Sequence, residues 1–215
     1  VFASGCPFLP MDWGAIEKRK RKMSVIRAFI AVDLPSDLRE RLADICDDLS
    51  EQMGEVPVRW VSAEKLHLTL KFLGDVSKKN VGVLKDILRG ETVDREPFAM
   101  SLGGLGAFPK IRRPRVIWVG VEAPPELKAL QRGIDKQTAR VGYPPDRRPF
   151  SPHITIGRVS RNASPAEVRV IGDVLNDTNV GYLGVAKIES VYLYRSDLQP
   201  GGAVYSRLFA ADLEG

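Results

Sequence analysis

The two histidines of the chain occur in the same short sequence pattern. His67 lies in the segment KLHLTL at 65–70, His153 lies in SPHITI at 151–156, and the chain has no other histidine. In both segments apolar and polar residues alternate, as in a half-buried β-strand. Residues two apart on a strand share a face, so each strand would present one imidazole and one hydroxyl together. Two such strands across a groove would supply an acid, a base and two hydrogen-bonding hydroxyls, which suits phosphoester chemistry.

Three further side chains complete the candidate site. Thr69 and Thr155 share the faces of the two histidines and can donate hydrogen bonds to non-bridging phosphate oxygens. Developing negative charge also needs a cation, and Arg158 has a planar group of donors that fits phosphate. Arg158 is five residues after His153, and this odd spacing would place it on the opposite face of a regular strand. A β-bulge at Gly157 would turn it toward the groove. The alternative is that Arg158 is a solvated charge at the end of the strand. The same alternation predicts that Phe72 points away from the histidines and packs in the core.

Other chemistries lack their sequence motifs. The chain has no Walker-type phosphate loop, no G-x-G-x-x-G segment and no G-x-S-x-G nucleophile elbow. Neither histidine motif carries a second histidine or a carboxylate at the spacing of metal ligands. We therefore expect a site that uses no metal and no cofactor.

The length and composition are those of a globular protein that does not enter a membrane. The 215 residues are 44% hydrophobic and 27% charged, and no apolar run approaches the roughly 20 residues of a membrane span. The first ten residues lack the features of a secretory signal. Two cysteines, Cys6 and Cys46, cannot build a disulfide framework, so we expect a cytoplasmic protein with Cys46 as a small buried side chain.

The net charge of +5 favours contact with polyanions only weakly. Part of the excess is the run KRKRK at 18–22, directly before Met23. Such a run can be an RNA-binding arm, but a solvated tail is the simpler interpretation. We predict a flexible basic N-terminal extension at 1–22 and one folded domain of two lobes at 23–215.

Strands and helices alternate through this domain. A strand at 25–33 precedes a helix at 36–53, in which Leu38, Leu42, Ile45 and Leu49 recur at steps of three and four residues. Further strands are predicted at 56–61, 66–73, 98–105, 115–121, 182–195 and 203–210, and further helices at about 78–90, 125–141 and 164–176. The order strand, helix, motif strand, helix occurs around each motif. It predicts a duplicated α+β unit whose halves face each other, with antiparallel sheets and helices on the outer faces.

Three segments resemble the two-histidine (2H) phosphoesterase superfamily. They are RAFIAVDLP at 27–35, LHLTLKFLG at 66–74 and PHITIGR at 152–158. Within the superfamily the chain looks most like the bacterial and archaeal RNA 2′,3′-cyclic phosphodiesterases, also called 2′-5′ RNA ligases. The resemblance covers about residues 24–212. It implies a bilobal fold with pseudo-two-fold symmetry and a central cleft that holds both motifs.

The resemblance also implies metal-independent opening of a 2′,3′-cyclic phosphate at an RNA end to a 2′-phosphate. His67, Thr69, His153 and Thr155 match the catalytic positions, and Arg158 matches an arginine that contacts phosphate. By that analogy His153 activates water and His67 protonates the leaving 3′ oxygen, although the near-symmetry leaves the direction open. Family members also join tRNA halves through a 2′-5′ bond, the reverse of opening a related ester. In water we expect hydrolysis to dominate.

Two alternatives remain open at this point. One is a module of the same fold that binds RNA ends or nucleotides without turnover, and complete motifs argue against it. The other is the same chemistry on small cyclic nucleotides or an ADP-ribose cyclic phosphate. Basic loops at 110–115 and 146–148 favour a longer polyanion. We expect a monomer whose partner is an RNA end, with tRNA halves as one candidate.

Overall fold

The computed structural model describes residues 25–146, 148–200 and 202–215. The first half of this region contains β1 (Val25–Asp33), α1 (Ser36–Met53), β2 (Val58–Trp60), β3 (His67–Ser77) and α2 (Asn80–Thr92). The second contains β4 (Phe98–Phe108), β5 (Val116–Glu122), α3 (Pro125–Arg140), β6 (His153–Val159), α4 (Pro165–Asp177), β7 (Tyr182–Ile188), β8 (Ser190–Gln199) and β9 (Gly202–Asp212). The predicted extension at 1–22 lies outside the described residues.

Apolar spacing explains how the helices cover the sheet. The buried side of α1 consists of residues at steps of three and four, namely Leu38, Leu42, Cys46, Leu49 and Met53. Helix α3 buries Leu127, Leu130, Ile134 and Thr138 at the same steps. Helix α4 begins with a capping box, because the Ser164 and Glu167 side chains each accept a hydrogen bond from the other's backbone N–H. These apolar stripes lie against one face of the sheet and leave the opposite face free to line a groove. Within the described part of the chain, no helix is long and apolar enough to cross a membrane.

The strands pair in the order β7-β4-β5-β6-β3-β1-β8-β9, with β2 added beside β6, and every pairing is antiparallel. The two motif strands, β3 and β6, are therefore neighbours at the centre of the sheet. β1 flanks β3 on one side, and β5 flanks β6 on the other, which gives the arrangement a pseudo-two-fold symmetry. The predicted duplicated α+β unit with two lobes is confirmed.

The motif strand β3 is longer than predicted. The sequence suggested an end at Gly74, but the strand continues to Ser77 and stays paired with β1. Gly74 has a φ of 68° and sits where the β1–β3 register shifts. Gly74 therefore marks a bulge within the strand and not the end of the strand. Glycine suits this position because it adopts positive φ without steric cost.

The strand predicted at 182–195 is two strands, separated at Glu189. β7 pairs with β4 in one lobe, whereas β8 pairs with β1 in the other, so the chain crosses between the lobes here. Burial changes phase at this point, from Ala186 and Ile188 to Val191 and Leu193. That slip in the alternation was the signal for two separate strands.

Candidate active site

Both histidines lie on one face of the sheet, at the place where the motif strands meet. Leu68 of β3 is paired with Ile154 of β6, and both are buried on the helix-covered side at 1% and 0% exposure. Their neighbours along each strand point to the opposite side. The antiparallel register therefore brings four predicted site residues together on the open face, with each histidine beside the threonine of the other motif: His67, Thr69, His153 and Thr155.

The two imidazoles are held in the same way. His67 Nδ1 lies 2.7 Å from the Lys65 carbonyl oxygen, and His153 Nδ1 lies 2.7 Å from the Ser151 carbonyl oxygen. A carbonyl oxygen only accepts, so Nδ1 carries a proton in both rings and donates it. Each Nε2 is then a base when its ring is neutral and an acid when its ring is charged. The two rings are matched in tautomer, as a paired acid and base require.

Aromatic rings fix the orientation of both imidazoles. Phe29 of β1 is stacked on His67, with ring centroids 4.8 Å apart and planes 25° apart. Phe108 of β4 meets His153 edge-on, with centroids 4.9 Å apart, and Trp118 lies 6.2 Å from the same ring. The sequence analysis missed these aromatic neighbours because they lie on other strands and share no motif with the histidines.

Burial lowers the pKa of His67 below its usual value. The positive charge of Arg158 acts in the same direction, whereas the Lys65 carbonyl and the negative charge of Asp33 oppose the shift. His67 is therefore held toward its neutral form in the free protein. The effect of Arg158 also indicates that this arginine lies near the first motif, although it belongs to the second.

Asp33 is an additional residue of this site that the sequence analysis did not single out. It is opposite His67 in the β1–β3 register. Its carboxylate accepts hydrogen bonds from the Tyr194 hydroxyl, at 2.8 Å to each oxygen, and from Arg207 Nη2 at 2.7 Å. Burial and the bond to Asp33 raise the pKa of Tyr194 to about 12, so its hydroxyl stays protonated. These bonds fix the carboxylate beside the first histidine.

The bulge expected at Gly157 is present. The β5–β6 register shifts by one residue in this segment. Ile156 and Val159 are both buried although they are three residues apart, whereas Arg158 is exposed. The extra residue turns Arg158 onto the face that carries Thr155. The structure thus brings all five predicted site residues to one face of the sheet.

A matching bulge in β3 overturns the prediction for Phe72. The β1–β3 register shifts between Thr69 and Lys71, and Lys71 is turned inward to 1% exposure. Phe72 is consequently 62% exposed on the groove side, opposite Phe29 in the register. The prediction that it packs in the core is wrong because a bulge reverses the alternation that follows it. At equivalent positions after the two histidines, the groove therefore receives Phe72 from one motif and Arg158 from the other.

Other reactive groups lie away from this groove. Cys46 is buried in the core, as predicted, and burial together with nearby Asp47 raises the pKa of its thiol to about 12. Cys6 lies outside the described residues. Across the described ranges, no three side chains of histidine, cysteine, aspartate or glutamate come together as a metal site would need.

Comparison with known proteins agrees with this geometry. The family model described as LigT like Phosphoesterase matches residues 32–118 and again 119–205, so that each match contains one motif. A protein of Methanothermobacter thermautotrophicus is 35% identical over 181 residues, which is 84% of this chain and 95% of the relative. One of Archaeoglobus fulgidus is 33% identical over 183 residues, or 85% and 98%. Both relatives are named RNA 2′,3′-cyclic phosphodiesterase.

Solved structures show the same fold. The protein TT0787 of Thermus thermophilus superposes with a TM-score of 0.74 at 27% identity, covering 88% of this chain and 99% of that one. Escherichia coli LigT complexed with 3′-AMP superposes with a TM-score of 0.70 at 29% identity, covering 89% and 99%. The doubled family match and the relatives' near-complete coverage agree with the motif strands described above. The chain belongs to the LigT-like phosphoesterase family.

Proposed function

We propose that the protein hydrolyses the 2′,3′-cyclic phosphate at an RNA end to a 2′-phosphate and a free 3′-hydroxyl. The observation that carries the proposal is the pair of imidazoles with the same tautomer, His67 and His153, on one face of the sheet. The names of the relatives support the choice of substrate. Opening a cyclic phosphodiester needs one base and one acid, which this pair supplies without a metal or cofactor.

In the proposed step, His153 Nε2 takes a proton from water as the water oxygen bonds to phosphorus. The bond from phosphorus to the 3′ oxygen breaks, and His67 Nε2 gives its proton to that oxygen. Thr69 and Thr155 donate hydrogen bonds to the non-bridging oxygens, and Arg158 balances their charge. The step leaves His153 charged and His67 neutral, and proton exchange with solvent restores the starting state.

The low pKa of His67 suits the role of acid once substrate is bound. A weakly basic imidazole gives up its proton readily, so it assists departure of the 3′ oxygen. In the free protein the neutral form is favoured, but the negative charge of the bound phosphate favours protonation. The substrate thus creates the protonation state that its own cleavage requires.

The test is turnover of a short RNA ending in a 2′,3′-cyclic phosphate, in EDTA, with the position of the product phosphate determined. We expect a 2′-phosphate, and a loss of about 10²–10⁴-fold or more in kcat for His67→Ala and for His153→Ala. Circular dichroism and melting of both variants control for folding. A 3′-phosphate product, inhibition by EDTA that a divalent ion reverses, or an active variant would overturn the proposal.

A sulfur substitution distinguishes acid from base. When sulfur replaces the bridging 3′ oxygen, the leaving thiolate needs no proton. His67→Ala should then recover much of its lost turnover, whereas His153→Ala should stay inactive on both substrates. Recovery by His153→Ala instead would assign the roles the other way round.

Ligation and simple binding are the other outcomes of the same assay. An RNA 5′-hydroxyl in place of water would produce a 2′-5′ linkage, and we expect this product to be minor beside hydrolysis in aqueous buffer. Binding of the RNA end by the wild type and both alanine variants, with no turnover by any of them, would identify a binding module.

A further inference from the structure

Arg59 of β2 lies directly opposite Arg158 of β6. The register of these two strands pairs Arg59 with Arg158 and, one step further, Trp60 with Gly157. Opposed residues of an antiparallel pair share a face, with Cβ atoms about 4.5–5.5 Å apart. Both arginines are exposed. Arg59 therefore stands beside the proposed phosphate-binding arginine, on the same side of the sheet.

Two like charges in this position repel each other. Like charges directly opposite on a pair of strands destabilise a sheet. Across the described residues, neither Arg59 nor Arg158 forms an ion pair with a carboxylate. An anion bound near both guanidiniums would turn this repulsion into attraction.

The surroundings of Arg59 are basic and lie at one end of the groove. Its guanidinium lies close to Gly202 at the start of β9. If Gly202 carried a Cβ atom, Arg59 Nη1 would be 3.6 Å from it. The basic loop at 110–115 meets the same end of β6, since Arg115 Nη1 donates to the Ser160 carbonyl oxygen at 2.9 Å. The other end of the groove carries the exposed ring of Phe72. Arg59, Arg158 and the basic loop at 110–115 thus lie together at the end of the groove away from Phe72.

We propose that Arg59 binds the phosphodiester group immediately 5′ of the terminal nucleotide, while Arg158 contacts the cyclic phosphate. The proposal rests on the proposed function and extends it to the substrate class. It makes the preferred substrate an RNA chain and not a mononucleotide, because a mononucleotide has no upstream phosphate. Adjacent arginines on paired strands would accommodate the consecutive phosphates of one strand.

The test compares two substrates that differ by that one phosphate. A nucleoside 2′,3′-cyclic phosphate lacks it, and a dinucleotide with the same cyclic end has it. The quantity compared is kcat/KM for the dinucleotide divided by kcat/KM for the mononucleotide. We expect Arg59→Ala to lower this ratio by about tenfold or more, because a hydrogen bond to a charged group is lost. Arg161→Ala, another exposed arginine just beyond β6, is the matched control and should leave the ratio unchanged.

A dinucleotide whose internal linkage is an uncharged methylphosphonate makes the test specific. It should lose the advantage of the natural dinucleotide in the wild type and show no further loss in Arg59→Ala. An equal loss on both substrates, or no loss on either, would overturn the role of Arg59. If the wild type hydrolyses neither substrate, the proposed function fails. Equilibrium binding of the dinucleotide 2′-phosphate and of its methylphosphonate analogue then tests the inference separately. The wild type should bind the natural dinucleotide more tightly than the analogue, and Arg59→Ala should bind both equally.

Discussion

Leu68 and Ile154 form the one registered backbone pair between β3 and β6 in the described part of the chain. Each is the residue directly after a histidine, and both side chains are buried in the core. This pair lies where the two halves of the sheet meet and fixes the relative position of the imidazoles on the other face. Leu68 and Ile154 therefore contribute both to the packing of the core and to the geometry of the candidate site.

Truncation at this junction should cost both stability and activity. We expect Ile154→Ala to lower the free energy of unfolding by about 2–5 kcal/mol, because it leaves a cavity at a fully buried site. Ile154→Val should cost only about 0.5–1.5 kcal/mol and keep most of the turnover. Urea denaturation and assays below the unfolding transition measure both quantities. Equal stability of the two variants would show that the site relaxes around the lost side chain.

The bulge in β3 predicts opposite results for two neighbouring apolar residues. Phe72 is 62% exposed, whereas Leu70 is buried at 3%. Phe72→Ala should therefore change the free energy of unfolding by less than about 1 kcal/mol, whereas Leu70→Ala should cost about 2–5 kcal/mol. A large loss for Phe72→Ala in thermal or urea unfolding would contradict this assignment and place the ring in the core.

The sequence was most informative where the signal was local. Alternation placed both motif strands, and apolar steps of three and four placed the helices at 36–53 and 164–176 within a residue or so. Gly157 marked the bulge that turns Arg158 onto the groove face. A glycine inside a strand is a visible cue, because other residues seldom occupy a close backbone approach.

Contacts between distant strands could not be predicted in the same way. The β3 bulge, which reverses Lys71 and Phe72, contains no glycine and depends on the pairing with β1. Asp33 and Phe29 reach His67 only because β1 pairs with β3. One sequence shows neither the partner strand nor its register, so these contributions to the site emerge only from the fold.

The buried ion pair of Lys71 and Asp135 predicts an asymmetric response to substitution. Lys71 Nζ contacts the Asp135 carboxylate and also donates to the Pro144 carbonyl oxygen at 2.6 Å. The lysine is 1% exposed and the aspartate 23%. Asp135→Ala leaves a buried charge unpaired and should cost about 3–5 kcal/mol, whereas Lys71→Met leaves no buried charge and should cost less.

A double-mutant cycle checks this asymmetry. With Lys71→Met already present, adding Asp135→Ala should cost little more, because the charge it would isolate is gone. Urea denaturation of the wild type, both single variants and the double variant gives the coupling energy. Additive losses would indicate that the two side chains stabilise the protein independently of their contact.

The stability of the protein should decrease as the pH is lowered through the titration of His67. Burial holds the pKa of His67 below its usual value, so the unfolded chain binds a proton more readily than the folded one. The stability that this difference contributes is present above about pH 6.5, the ordinary pKa of histidine. It is lost as the pH falls through the lowered value. In His67→Gln this part of the pH dependence should disappear from urea denaturation curves measured at several pH values.

The negative charge of Asp33 should influence the pH at which His67 titrates. The carboxylate raises the pKa of His67, so Asp33→Asn should lower it further and shift the His67 limb of the kcat/KM profile to lower pH. The chain has only two histidines, so proton NMR can follow both rings, and His153→Gln assigns the remaining signal. Asp75→Asn, an exposed carboxylate farther along β3, removes the same charge and should leave the titration in place. An unchanged or raised pKa in Asp33→Asn would show that the Tyr194 and Arg207 contacts, and not the charge of Asp33, govern this histidine.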